Sequence, residues 1–144
     1  MTSADSDAKT VMYAVNLWIV DNMNNGGKAF SEGTVKISWK NGEVSVSGAI
    51  TDADKSNNTP QTLTEHLKEN FRGLMDGYAE VYLNADGKAF AAIYGLDVSS
   101  LDSAEHPAIS DFEKGSWKWN GKTAGVSPNG HIVGTSPKVM LDKQ

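Results

Sequence analysis

The dipeptide Asn41-Gly42 sits between two runs in which apolar and polar residues alternate, and nothing else in the chain restricts the fold as tightly. A two-residue type I′ turn needs positive φ at both central positions, which Asn and Gly tolerate. Folding Thr34–Ile50 about that turn sets Trp39 against Val44 and Ile37 against Val46. Val35, Gly48 and Ile50 continue the same face, while Lys36, Ser38, Lys40, Glu43, Ser45 and Ser47 fall on the other. The hairpin therefore has one wet face and one face that must be covered. Lys40 and Glu43 lie opposite each other as a cross-strand charge pair, expected to stabilise by about 0.2–1 kcal/mol.

Two segments have the spacing of helices that could supply the cover. Val11, Val15, Trp18, Ile19 and Met23 recur on one helical face, after the capping candidates Ser3, Asp5 and Ser6 and before Asn24-Asn25-Gly26-Gly27. Met12, Leu17 and Val20 lie outside that stripe, so the helix is apolar on more than one side. A helix of this kind is deeply buried or meets a second subunit, and Leu17 is a candidate partner-binding residue. The second helix is expected to start at Thr59 as N-cap with Pro60 at its first position. Leu63, Leu67, Phe71, Leu74, Met75 and Tyr78 follow at helical spacing, and Gly77 is a natural stop. His66 falls on the polar shoulder of that helix, where a solvated histidine is the expectation.

A second hairpin is expected over Ala79–Tyr94, and its register is open. A three-residue loop with Gly87 in the left-handed region groups Val81, Leu83, Ala89, Ala91 and Ile93 on one face. A two-residue Asp86-Gly87 turn instead brings Phe90 and Tyr94 to the side of Val81 and Leu83. Residues 97–113 read as a loop with one helical turn at Ser99-Ser100-Leu101-Asp102. Ser116–Val126 reads as a third hairpin around Asn120-Gly121. From about 133 the chain reads as an extended tail, with Pro137 arguing against a central strand.

The expected fold class is α+β, an antiparallel sheet built from hairpins with two main helices packed on it. A chain of 144 residues suits a single domain spanning 1–144. Over residues 9–94 the order α-β-β-α-β-β is similar to that of the small type III secretion chaperones. That resemblance implies an acidic dimer that binds protein. The closing helix of that family is replaced here by the Trp-bearing hairpin and the tail.

Charge and composition narrow the function. A net charge of −5 argues against a broad nucleic-acid footprint. No apolar run approaches a membrane span. The absence of cysteine removes disulfides, thiolate nucleophiles and Cys-ligated zinc. The first seven residues carry no basic leader segment, so the expected location is the cytoplasm or a virion. Residues 89–113 hold five acids and no Lys or Arg, whereas residues 114–144 hold five Lys against Asp142 alone. These neighbours either face each other within the fold or present an acidic surface to a basic partner or a cation.

Asp97, Asp102 and Glu105 are therefore candidate partner-binding residues. With His106 the carboxylates of 97–113 could instead serve a small hydrolase or nuclease. Trp117 and Trp119, at i and i+2 in one strand, could cap the core, meet a partner, or form a platform for a sugar. Asp52-Ala53-Asp54 begins like a calcium loop, but Asn57 and Leu63 stand where Gly and a bidentate Glu are needed. No cofactor or metal is expected. The leading expectation is a non-enzymatic protein-binding or assembly module, a small acidic accessory, inhibitor, immunity or virion-type subunit. It would engage a protein partner or itself.

Overall fold

Asn41 and Gly42 take φ values of 52° and 80°, as the type I′ turn requires. The computed structural model describes residues 3–70, 76–96, 116–119, 133–136 and 140–143, with backbone alone at 3–5, 96, 116–119, 133–135 and 140–143. The elements are α1 (Ser3–Asn24), β1 (Gly33–Lys40), β2 (Glu43–Gly48), α2 (Leu63–Asn70), β3 (Gly77–Leu83), β4 (Ala89–Leu96), β5 (Ser116–Trp119), β6 (Val133–Ser136) and β7 (Met140–Lys143). A five-stranded antiparallel sheet runs in the order β2-β1-β3-β4-β6. α1 lies across β4 and β6, and α2 lies across β2 beside α1. This is an α+β fold with both helices packed on the sheet.

The first hairpin has the register that alternation dictates: Trp39 opposite Val44, Ile37 opposite Val46, Lys40 opposite Glu43. Its ion pair differs from the expected one, because the Glu43 carboxylate meets Lys68 of α2 at 3.4 Å. The Asn41 backbone N–H donates to the Asp76 carboxylate at 2.9 Å, which fixes the turn to the start of β3. Val35, Ile37 and Trp39 are buried together with Val11, Val15, Trp18 and Ile19 of α1 and with Leu63 and Leu67 of α2. Burying side chains of this size contributes about 1.5–3 kcal/mol each.

The β3–β4 hairpin combines features of both candidate registers. Gly87 is left-handed (φ +76°) and its amide donates to the Asn84 carbonyl at 2.9 Å, as the three-residue loop requires. Leu83 then pairs with Ala89, but the next pair is Tyr82 with Ala91, so Phe90 is an extra residue in β4. That bulge shifts the alternation by one. Val81 consequently pairs with Ala92, and Ala79 with Tyr94. Tyr94 joins the core, its ring 6.0 Å from that of Trp39 in an edge-on contact. Ala91 and Ile93 move to the opposite face with Tyr82, where they too are buried.

Other expectations need correction. α2 begins at Leu63, after a capping box in which the Thr62 hydroxyl accepts the Glu65 amide at 3.1 Å while the Glu65 carboxylate accepts the Thr62 amide at 3.0 Å. Thr59 is buried inside the preceding loop instead of capping the helix. Gly77 and Tyr78 belong to β3. Phe71, Leu74 and Met75 lie outside the described residues. Met23, expected on the core stripe, is 45% exposed. The described partner of β5 is β7, in parallel; the Asn120-Gly121 turn lies outside the described residues. The stretch read as an extended tail supplies β6, an edge strand that ends just before Pro137.

Candidate functional site

α1 is held to the body of the protein by hydrogen bonds from two asparagines and from the indole of a core tryptophan. Asn16 forms a reciprocal pair with the backbone of Ala89, its amide donating to the carbonyl and its oxygen accepting the N–H, both at 2.8 Å. Such a pair imitates one rung of a sheet and fixes α1 over the start of β4. The indole N–H of Trp18 donates to the Gln61 carbonyl at 2.9 Å. Asn22, fully buried, accepts the Ser56 amide and the Thr59 hydroxyl, both at 2.8 Å, and donates to the Asp54 carbonyl at 3.0 Å. A Cβ at position 27 would lie 2.3 Å from the Asn22 amide nitrogen, so Gly27 is required by close approach.

The calcium-like loop is consumed by the same network. The Asp54 carboxylate accepts the Thr51 amide at 2.8 Å and pairs with Lys28 at 2.9 Å. Partial burial alone would raise its pKa, but these hydrogen bonds and the Lys28 charge outweigh that and hold the carboxyl below its usual value. Asp52 accepts the Thr64 hydroxyl at 2.6 Å. Among the described residues no cluster of His, Asp or Glu is arranged to hold a metal ion.

With its inner face so engaged, α1 presents an outer face that is also apolar. Tyr13, Leu17, Val20 and Met23 are 56%, 62%, 53% and 45% exposed. At about 100° per residue, Leu17 lies roughly 160° around the helix from buried Val15, and Tyr13 and Val20 lie within about 60° of it, one turn before and one turn after. Leaving such side chains in water forgoes about 25 cal/mol per Å² of burial. The surplus is a coherent ridge, not a scatter of single residues.

A groove runs along each side of the ridge. One, of about 250 Å³, is lined by Leu17, Trp18, Asp21, Pro60, Gln61 and His66. The other, of about 440 Å³, lies between α1 and the β3–β4 turn and is lined by Asn16, Ile19, Val20, Met23, Lys88 and their neighbours. His66 is half-buried rather than solvated. Its Nδ1 lies 3.3 Å from the Asn70 amide, while Nε2 is buried with no hydrogen-bond partner among the described residues. The first groove thus combines an aromatic wall, an aliphatic lip and polar atoms from Asp21, Gln61 and His66.

Of the residues singled out from the sequence as partner-binding, Leu17 is the one whose side chain is described, at the centre of this face. Trp117 and Trp119 are the second and fourth residues of β5, in register with Leu141 and Lys143; their side chains are outside the described set. Asp97, Asp102, Glu105 and His106 also lie outside it. Tyr13 escapes a reading of the sequence because one aromatic among polar neighbours looks like ordinary surface. Its spacing of four from Leu17 is the available signal. Among the described residues no helix is long and apolar enough to cross a membrane. No family model, no curated protein and no solved structure matches the chain.

Proposed function

We propose that this chain is a protein-binding or assembly module, an accessory, inhibitor, immunity or virion-type subunit without chemistry of its own, and that α1 carries its docking surface. The observation behind this reading is the outward ridge of Tyr13, Leu17 and Val20 on a helix whose opposite side is committed to the core. Exposed aromatic and aliphatic groups in one contiguous patch, bordered by recesses, are what a protein partner covers. Asn16 and Asn22 make the helix a rigid platform, so little ordering cost is incurred on docking.

The test compares proteins retained by immobilised wild-type chain with those retained by Leu17→Glu and Tyr13→Glu, read by quantitative mass spectrometry. A second copy of the chain counts as a partner. The reading requires specific partners that both variants lose while keeping the wild-type circular dichroism spectrum. Retention unchanged by either substitution contradicts it.

A further inference from the structure

We infer that the partner of this face is a second copy of the same chain, laid antiparallel across α1 about a two-fold axis. The inference rests on the reading of α1 as a docking surface. It comes from the order of side chains along one ridge. Lys9, Tyr13, Leu17 and Asp21 are spaced four apart and are all exposed. Residues at that spacing form one continuous row on a helix. The row has a cation at its first end, a ring and an aliphatic chain in the middle, and a carboxylate at its last end. Among the described residues, neither Lys9 nor Asp21 takes part in an ion pair. Lys9 Nζ lies over the Tyr13 ring, 5.6 Å from its centroid, and Asp21 receives the Asn25 side-chain amide at 3.3 Å.

A row of this order complements its own reversal. Turned end for end, a second copy brings its Asp21 to Lys9 and its Leu17 to Tyr13, and the two-fold axis repeats both contacts. A parallel copy would set Lys9 on Lys9 and Asp21 on Asp21. Beside the ridge runs the next row, Met12, Asn16, Val20 and Asn24, and the furrow between the two rows is where a matching ridge inserts. Rows of this kind from two helices interlock at an inclination of about 50°. In this register the Tyr13 ring of the second copy enters that furrow beside Leu17, on the side of the groove lined by Asn16, Val20 and Met23. One helix ridge buries less than the roughly 800 Å² per partner of a standard stable interface, so the dimer is weak, with a Kd on the order of 10–100 µM.

Sedimentation velocity of the full chain from about 5 to about 500 µM tests this. The wild type should shift from monomer to dimer across that range. Lys9→Glu places two carboxylates at each end contact of the dimer, and Asp21→Lys places two ammonium groups there. Each substitution should weaken association about tenfold or more. Mixing the two variants in equal amounts should restore dimer. In the mixed pair one end contact joins the two substituted side chains, now of opposite charge, and the other joins native Lys9 to native Asp21. Circular dichroism and urea unfolding confirm that each variant is folded before it is used. A wild-type chain monomeric throughout, or a mixture no more associated than its components, overturns the inference. If the chain is monomeric yet Leu17→Glu still loses a different captured protein, the second copy is wrong and the docking surface stands. If nothing depends on Leu17, both fall.

Discussion

The side-chain oxygen of Asn22 on α1 accepts the hydroxyl of Thr59 at 2.8 Å in the protein interior, and the same oxygen takes the Ser56 amide. One amide group thereby holds the loop before α2 against the end of α1 and positions the groove beside Leu17. Asn22→Ala leaves the Ser56 amide, the Thr59 hydroxyl and the Asp54 carbonyl without their partner. We expect a loss of about 2–4 kcal/mol, measured by urea unfolding. A loss under about 0.5 kcal/mol would show that water satisfies the loop equally well.

Two left-handed glycines separate strain from crowding. At Gly42 (φ +80°) nothing lies within 4 Å of where a Cβ would sit, so Gly42→Ala should cost about 1 kcal/mol from backbone strain alone. At Gly87 (φ +76°) a Cβ would come 2.2 Å from the Phe30 carbonyl oxygen. Gly87→Ala should therefore cost clearly more than Gly42→Ala in the same denaturant series. Equal costs would contradict the packing of the β3–β4 turn on Phe30.

Acid stability should carry the mark of Asp54. Its folded pKa is lowered, so its contribution is present above the unfolded carboxylate value of about 3.9 and disappears as pH falls through the lower folded value. Asp54→Asn should be less stable than wild type at pH 7 and converge towards it in that acid range. Asp7 has the opposite sign, because burial raises its pKa. Its contribution is present below the unfolded value and lost as pH rises through the folded one. Asp7→Asn should then gain stability relative to wild type between about pH 4 and 7, as read by chemical denaturation across that range.

The edge-on packing of Trp39 on Tyr94 joins β1 to β4 through the core. Trp39→Ala should destabilise by about 3–5 kcal/mol, and Tyr94→Phe much less, because the ring contact survives. Thermal unfolding of both variants checks the ratio.

Local chemistry makes the first hairpin readable, since Asn41-Gly42 and strict alternation specify the same register independently. The second hairpin resists because the bulge at Phe90 changes the phase of β4 halfway along, and no residue type announces a bulge. Thr59-Pro60 imitates a helix start, and the true start at Thr62 carries the competing Thr-x-x-Glu signature. Pattern counting separates apolar from polar, so a buried Asn that organises a loop looks like a surface residue; Asn22 is invisible for that reason. Leu17 is legible because it exceeds what a one-sided helix needs. Tyr13, Lys9 and Asp21 become meaningful only once the helix is known to expose that side.

The central claim, that the outer face of α1 is covered on association, has a direct test in the native side chains. Solvent paramagnetic relaxation of the Leu17 and Val20 methyl groups reports their access to water. From dilute to concentrated protein, access should fall at both methyls and stay constant at the Thr51 methyl, which is exposed and lines neither groove beside α1. Leu17 and Val20 methyls as accessible at the highest concentration as at the lowest, in a sample that nonetheless contains dimer, would show that association uses another surface and would contradict the account.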